Sequence, residues 1–326
     1  MARRFDAIII GAGQAGIPLA GRLSAAGKTV ALIERHLVGG TCVNTGCTPT
    51  KTLVASADAI HTARRGADYG FTVGGPVMVD FPAVMARKDA VVAKSQQGLA
   101  GWIGGMENCT LIEGHARFES ARSVRVGDDV LQAERIFINT GGRAAVPEMP
   151  GVHDVPFLTN SSILQLTELP RYLAIVGGSY IGLEFGQIFR RLGSEVTIIE
   201  KGARLIARED EDVSDAVKGI LEAEGIGFRL DAECISLHAR ADGGVTVGVD
   251  CTSGDREVHA SHVLLAVGRR PNTDDLGLDK AGVATDERGF ITVDDRLETS
   301  APGIYALGDC NGRGAFTHTS YNDFEI

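Results

Sequence analysis

Two cysteines, Cys42 and Cys47, stand five positions apart in a glycine-rich stretch and offer disulfide chemistry or soft-metal binding. Pro49 suits the first turn of a helix and Thr48 suits its cap, so the thiols are expected at a positive helix end that favours thiolate. Lys51 lies one helical turn after Cys47 on the same face, where its ammonium could favour thiolate further or touch a cofactor.

Three other interpretations of the cysteine pair stay open: a structural disulfide, two half-buried free thiols, or half of a zinc site. Zinc-binding pairs usually have two to four intervening residues, and no second Cys/His pair at ligand spacing follows. A structural bridge is untypical of the reducing compartment that the rest of the chain indicates. The remaining cysteines are scattered singly and are expected to act as small hydrophobic residues; they are Cys109, Cys234, Cys251 and Cys310.

A dinucleotide-binding fingerprint precedes the cysteines. Residues 5–10 form an apolar run, Gly11, Gly13 and Gly16 follow it, and a helical pattern leads to a second apolar run that ends at Glu34. These glycines permit a tight turn and let a pyrophosphate approach the backbone, while Glu34 is expected to accept hydrogen bonds from a ribose.

The same unit recurs about halfway along the chain. Its residues are Gly177, Gly178, Ser179, Ile181, Gly182 and Glu200. Gly11 to Glu34 and Gly177 to Glu200 are both 23 positions, which predicts two dinucleotide sites on two domains. Ser179 replaces the middle glycine, so a pyrophosphate has slightly less room there. Glu200 favours NADH over NADPH, because a carboxylate repels a 2'-phosphate.

The composition is that of a soluble two-domain protein: 326 residues, 44% hydrophobic and 23% charged. A net charge of -10 without a basic stripe argues against nucleic acid as a partner. The first strand begins near residue 5, leaving no room for a signal peptide, and no apolar run reaches the length of a membrane span. A cytoplasmic location is therefore expected.

Taken as a set, the motifs resemble the class I flavoprotein (pyridine nucleotide) disulfide reductases. The resemblance covers essentially the whole chain and rests on both fingerprints, residues 40–51, Thr140-Gly141-Gly142, residues 268–272 and Gly308-Asp309. Residues 314–323 look most like the mercuric reductase-like branch, and the core is also similar to dihydrolipoamide dehydrogenase.

The resemblance implies an α/β fold with two Rossmann-like domains, one for FAD and one for NAD(P), the second inserted in the first. The expected boundaries are 1–150 and 273–326 for the FAD-binding domain and 151–272 for the NAD(P)-binding domain. Family members are homodimers whose C-terminal domain supplies a His–Glu pair to the partner's site. This chain ends at Ile326 inside the helix leading there, so that domain is expected to be absent and disulfide turnover poor.

The resemblance also implies the roles of single residues. Glu34 would bind the adenosine ribose of FAD, Asp309 its ribityl chain, and a helix opening at residues 315–318 its pyrimidine edge. The cofactor-binding residues expected besides the two fingerprints are Gly40, Thr41, Gly46, Gly114, His115, Thr140, Gly141, Gly142, Gly268, Arg269, Gly308, Asp309, Ala315, Phe316, Thr317 and His318. No metal site is expected.

The implied chemistry is a relay from NAD(P)H through FAD to a Cys42–Cys47 disulfide, and from the dithiol to a disulfide, thiol-linked or soft metal-ion substrate. The resemblance implies that Cys47 is the charge-transfer thiol against the flavin and Cys42 the interchange thiol that meets the substrate. Lys51 would lie beside the flavin and pair with Glu184, and Tyr180 would cover the nicotinamide pocket. Two alternatives are an NADH oxidase or diaphorase whose cysteines only poise the flavin, and a noncatalytic dinucleotide-binding redox sensor.

Overall fold

The computed structural model describes residues 2–250 and 255–326; Cys251 and the side chain of Cys234 lie outside this part. The chain forms two compact units. Unit 1 comprises Met1–Thr48, Val92–Arg143 and Arg269–Ile326, and unit 2 comprises Pro49–Val91 and Ala144–Gly268. The chain thus starts and ends in unit 1, and unit 2 is inserted in it. Residues 49–91 belong by their contacts to unit 2, whereas the sequence boundaries place them with the first domain.

Helices and strands alternate along much of the described chain. The helices are α1 (Gly16–Ala25), α2 (Gly40–Asn44), α3 (Cys47–Arg64), α4 (Phe81–Gly104), α5 (Tyr180–Leu192), α6 (Glu211–Ala223), α7 (Leu278–Ala281) and α8 (Thr317–Glu325). The strands are β1 (Arg3–Arg4), β2 (Ala7–Ile10), β3 (Val30–Glu34), β4 (Cys109–Glu113), β5 (Ala116–Ser120), β6 (Ser123–Val126), β7 (Asp129–Gln132), β8 (Arg135–Ile138), β9 (Gly142–Ala144), β10 (Tyr172–Val176), β11 (Glu195–Ile199), β12 (Gly227–Arg229), β13 (Glu233–Ala239), β14 (Val245–Asp250), β15 (Glu257–Ala260), β16 (His262–Leu265), β17 (Arg269–Pro271) and β18 (Ile304–Ala306).

The main sheet of unit 1 is parallel, with the strand order β18-β8-β2-β3-β4. It is covered on both faces, which is why the central strand β2 is apolar throughout. On one face Ile9 packs with Ile17 of α1, and on the other Ile8 packs with Phe118 and Val124 of a second, smaller sheet. This layered α/β arrangement confirms the predicted fold class.

The sequence pattern predicts strands at residues 110–118, 123–133 and 290–293, and the structure shows that each of these assignments is wrong. The run 110–118 is not one strand, because it breaks at Gly114 (φ 147°) into β4 of the main sheet and β5 of the second. Residues 123–133 likewise form the antiparallel pair β6 and β7. The strand predicted at 290–293 is not formed; its residues make only isolated bridges, such as Thr285 with Ile291.

Unit 2 repeats this plan with a parallel sheet of order β12-β11-β10-β16. Ile175 packs on one face against Phe189 of α5 and Leu53 of α3. On the other face Val176 packs against Val247 of the antiparallel sheet β13-β14-β15. In both units the carboxyl ends of β-strands therefore meet the amino end of a helix at a glycine turn.

None of the helices formed by the described residues is both long enough and apolar enough to cross a lipid bilayer.

Candidate active site

The two cysteines lie where α2 is followed by α3. Cys42 is within α2 and half-buried, while Cys47 is the first residue of α3 and is exposed. The sequence predicts that Cys47 precedes the helix. In the structure Cys47 is instead the first residue of the helix. The intervening turn is tight, since a Cβ at Gly46 would lie 2.9 Å from the carbonyl oxygen of Thr41.

The segment before Cys42 packs directly on the first glycine loop. The amide of Gly39 donates to the carbonyl of Ala12 at 2.8 Å, and a Cβ at Gly40 would lie 2.9 Å from the Cα of Gly13. Gly39 and Gly40 have φ of 100° and 60°, a left-handed conformation that favours glycine. The thiol pair is thereby attached to the loop that the fingerprint assigns to a dinucleotide.

A threonine at the start of α8 contacts both sulfurs. Thr317 Oγ1 lies 3.2 Å from Cys47 Sγ, and the Cys42 thiol hydrogen-bonds to Thr317 and to Cys47. Burial raises the pKa of Cys42 to about 11, and the Thr317 hydroxyl opposes this rise. Reduced Cys42 is therefore a protonated thiol near neutral pH, and the expectation that a helix end favours its thiolate is wrong, because Cys42 is half-buried within α2. It needs a base or a positive partner to become a nucleophile.

Glu34 binds backbone amides beside the first glycine loop. Its Oε2 accepts from the amide of Ala12 at 2.9 Å and its Oε1 from that of His36 at 2.9 Å. Each carboxylate oxygen keeps a lone pair, so ribose hydroxyls can still donate to it. The loop also brings backbones very close together, since a Cβ at Gly16 would lie 2.1 Å from the carbonyl oxygen of Gly11.

Asn139 connects this loop to a distant segment, and sequence analysis gave it no role. Its buried side chain accepts from the amide of Gly16 at 3.0 Å and donates to the carbonyl of Leu307 at 3.0 Å. Its own carbonyl oxygen would lie 2.2 Å from a Cβ at Gly11. The one signal in the sequence is a polar residue that directly follows the apolar run 136–138.

A buried hydroxyl beside the first glycine loop is available for a hydrogen bond to a bound molecule. Thr140 Oγ1 is buried and, apart from the weakly hydrogen-bonding thiol of Cys310, has no hydrogen-bond partner among the described residues. Buried hydroxyls are nearly always hydrogen-bonded, so a polar group of a bound molecule would satisfy it. Together with the bare backbone at Gly11 and Gly13, Thr140 fits a dinucleotide such as FAD at this place.

Asp309 lies after β18, in the short 3-10 turn Gly308–Asn311. Burial raises its pKa, while Arg269, whose Nε is 3.6 Å from Asp309 Oδ2, opposes the rise. The turn is held by Asp323 of α8, a buried carboxylate that accepts from the amide of Gly308 at 2.7 Å and from Asn311 Nδ2 at 3.1 Å. Asp323 is a second residue to which sequence reasoning gave no role.

Other predicted cofactor residues lie around the same sheet edge of unit 1. The amide of Gly114 donates to the carbonyl of Glu34 at 2.9 Å, which places Gly114 and His115 beside the end of β3. His115 Nε2 lies 3.1 Å from the carbonyl oxygen of Asp275, and Arg35 Nη1 donates to the carboxylate of Asp275 at 3.0 Å. Asp275 thus joins two side chains next to Glu34.

The remaining predicted residues of unit 1 lie at helix and strand ends. Arg269 donates to the carbonyl of Gly142, and Gly141 has a φ of 64°. Ala315 and Phe316 precede α8, and the exposed rings of Phe316 and His318 stack with centroids 5.6 Å apart.

The second glycine loop repeats the contacts of the first. Glu200 Oε2 accepts from the amide of Gly178 at 2.6 Å and Oε1 from that of Gly202 at 2.8 Å. A Cβ at Gly182 would lie 2.0 Å from the carbonyl oxygen of Gly177. These contacts reproduce those of Glu34 and Gly16, so both units build the same kind of loop.

Three residues predicted to be catalytic lie in unit 2. Lys51 Nζ of α3 donates to Glu184 of α5, the ion pair that the family resemblance implies. Tyr180, at the start of α5, is 45% exposed and donates its hydroxyl to Glu209. That hydrogen bond raises the pKa of Tyr180. Glu209 was not identified from the sequence.

The structure therefore brings Cys42, Cys47 and Thr317 together in unit 1, with Cys42 two residues after the Gly39–Gly40 contact with the first glycine loop, and pairs Lys51 with Glu184 in unit 2. Within residues 2–250 and 255–326, no group of three or more His, Cys, Asp or Glu side chains is placed to hold a metal ion.

Comparison with known proteins adds a family match. The family described as pyridine nucleotide-disulphide oxidoreductase matches residues 5–323. The probable pyridine nucleotide-disulfide oxidoreductase RclA of Escherichia coli (strain K12) is 39% identical over 332 residues, which cover 99% of this chain and 70% of RclA. The solved Cu(II) complex of RclA, described as an HOCl-induced flavoprotein disulfide reductase, has a TM-score of 0.89 at 37% identity, covering 100% of this chain and 70% of that one.

Two further relatives carry other names. A dihydrolipoyl dehydrogenase of Chlamydia muridarum (strain MoPn / Nigg) is 36% identical, with 98% of this chain and 68% of the relative covered. A mercuric reductase of Streptomyces lividans is 34% identical, with 97% of this chain and 67% of the relative covered.

Replacing Thr317 tests its influence on the thiols. Thr317→Val removes the hydroxyl that stabilises the Cys42 thiolate, so the pKa of Cys42 should rise further. Alkylation of Cys42 in reduced protein at about pH 9 should slow roughly three- to tenfold, the worth of one typical hydrogen bond. Thr317→Ser retains the hydroxyl and should react at the wild-type rate. Equal alkylation rates for the two variants would contradict the claim that the Thr317 hydroxyl lowers the pKa of Cys42.

Proposed function

The chain belongs to the pyridine nucleotide-disulphide oxidoreductase family, and on that premise we propose that Cys42 and Cys47 are its redox-active pair. The family is one of flavoenzymes that use a pyridine nucleotide. FAD, when bound at the first glycine loop, supplies the electron transfer between nicotinamide and sulfur. The observation that carries the proposal is the packing of Gly39 and Gly40 on that loop, with Thr317 against both sulfurs.

The chain's own part in the reaction is thiol–disulfide exchange. Cys42 first loses its thiol proton, and its sulfur attacks one sulfur of a substrate disulfide; the other substrate sulfur leaves as a thiolate and takes up the proton that Cys42 gave up. Cys47 then attacks the sulfur of Cys42, releases the second substrate thiol and re-forms the Cys42–Cys47 disulfide, so two electrons pass to the substrate. The assignment of the first attack to Cys42 rests on the family resemblance.

The acceptor class is a disulfide, a thiol-linked compound or a soft metal ion. Two neighbouring cysteine sulfurs, once ionised, suit both exchange with disulfides and binding of soft metal ions. Among the relatives, one is named mercuric reductase and one was solved as a Cu(II) complex. Both ions therefore belong in an acceptor screen beside small disulfides.

The nucleotide preference follows from the end of β11. Glu200 places a carboxylate beside the second glycine loop, where it can accept from a ribose 2'-hydroxyl and repels a 2'-phosphate. Lys201 is exposed, and Arg204 donates to the carbonyl of Ala207, so both cations could offset part of the repulsion. We expect NADH to be preferred, with NADPH still accepted.

Trapping of the thiols tests the redox role. FAD-loaded, oxidised protein is mixed anaerobically with one equivalent of NADH, alkylated, and digested. We expect labels on Cys42 and Cys47 after NADH and on neither before it. Cys109→Ser removes a half-buried free thiol elsewhere and should leave this result unchanged.

The other outcomes separate the alternatives. Flavin bleaching without new labels on Cys42 and Cys47 would contradict the relay and favour an NADH oxidase or diaphorase. Failure to bind FAD would contradict it too, and would favour a dinucleotide-binding redox sensor.

The nucleotide preference has its own test. Glu200→Gln removes the charge that repels a 2'-phosphate, so the ratio of kcat/KM for NADH to that for NADPH should fall roughly tenfold. Glu195→Gln, at the exposed opposite end of β11, is the matched control and should keep the wild-type ratio. A ratio unchanged in the Glu200 variant would show that other residues set the preference.

A further inference from the structure

A separate cavity of about 270 Å³ lies in unit 2 where α3 and α5 end. Its lining residues are His61, Arg64, Arg190, Arg191, Gly193 and Glu224. The second glycine loop precedes the first residue of α5, and the cavity lies at its last turn, so the two are separated by the length of a 13-residue helix. The cavity therefore has no part in the dinucleotide site described above.

One of its arginines is neutralised by carboxylates. Arg191 donates through Nε and Nη2 to the two oxygens of Glu224, both at 2.7 Å, and through Nη1 to Asp58 at 3.1 Å. Burial works to raise the pKa of Glu224, but the hydrogen bonds from Arg191 and Gln187 outweigh it and hold that pKa below its usual value. Glu224 is thus ionised and committed to Arg191.

The other two arginines have no carboxylate partner in the described part of the chain. Arg64 donates through Nη1 to the carbonyl of Arg191 at 2.5 Å. Arg190 donates to the carbonyls of Glu224 at 2.8 Å and Ser194 at 3.4 Å. Carbonyls at helix ends attract cations but carry no full charge. The three lining arginines therefore stand against two carboxylates, Glu224 and Asp58, which leaves a surplus of one positive charge before His61 is counted.

We propose that this cavity binds a small oxyanion of the phosphate class. A guanidinium has five N–H donors in a planar fork, so Arg64 and Arg190 both retain donors that match the oxygens of a tetrahedral anion. The lining has no Phe, Tyr or Trp side chain, and its donors are guanidinium groups that match phosphate oxygens. A free phosphate or the phosphate of a small metabolite fits this chemistry.

Such an anion would bridge two helices that already lie side by side. Lys51 pairs with Glu184 near the start of α3 and α5, and Asp58 pairs with Arg191 further along both. An anion between Arg64 of α3 and Arg190 of α5 adds a third link at their ends. Binding should therefore stabilise unit 2 against unfolding.

The test is binding of inorganic phosphate to the protein loaded with FAD and saturated with NAD⁺, which fills the dinucleotide sites. Thermal unfolding is followed in phosphate and in sodium chloride at matched ionic strength. We expect a saturable rise in Tm with phosphate that chloride does not reproduce, and one site by equilibrium dialysis. Equal shifts with both salts would overturn the proposal.

Three variants locate the site. Arg64→Gln removes an exposed guanidinium with a single carbonyl contact and should weaken phosphate binding about tenfold. Arg64→Lys restores the charge and should recover part of the affinity. Arg117→Gln, an exposed arginine of β5, is the control and should bind as the wild type does. Wild-type affinity in the Arg64→Gln variant would overturn the proposed site, whatever the salts show.

Discussion

The candidate site depends on a contact between two stretches of backbone that only glycine permits. Residues 39–40 lie on residues 12–13, with a hydrogen bond from Gly39 to Ala12 and no room for a side chain at Gly40. Because Cys42 follows two residues later, this contact decides where the thiols lie. A thiol pair elsewhere on unit 1 would have the same sequence spacing but no access to a dinucleotide held by the glycine loop.

Both units hold the glycine loop with the same carboxylate–amide hydrogen bond, and they differ in the residue that follows the neighbouring strand. In each, a carboxylate at the end of a parallel strand accepts the amide of the loop's second residue, as Glu34 and Glu200 do. In unit 1 Asn139 directly follows the neighbouring strand β8, and its side-chain amide donates to the carbonyl of Leu307, which precedes the turn that carries Asp309. In unit 2 the residue next to the first glycine, Gly177, is Ala266, whose methyl side chain cannot form a hydrogen bond to another segment. The polar connection to a third segment is therefore particular to unit 1, where the thiols are.

Much of this could be predicted from the sequence, because buried parallel strands and glycine turns are local patterns. The strand Tyr172–Val176 and both fingerprints lie where the apolar runs and glycines indicate. Asn139 and Asp323 could not be assigned roles, since their partners become neighbours only through the fold; Asn139 meets Gly16 across 123 positions. The strand predicted at 290–293 failed for a similar reason: a short apolar run forms a ladder only if a neighbouring strand is free to pair with it.

The central claim is that the contact of residues 39–40 with the glycine loop couples the thiols to the flavin. Gly40→Ala tests it most directly, because the added Cβ would press on Gly13 while both cysteines are retained in the sequence. In FAD-loaded protein given NADH anaerobically, the account predicts that flavin still bleaches while release of the Cys42 and Cys47 thiols slows at least about tenfold. Gly98→Ala, on an open face of α4, should behave as wild type. Thiol release at the wild-type rate in the Gly40 variant would contradict the account.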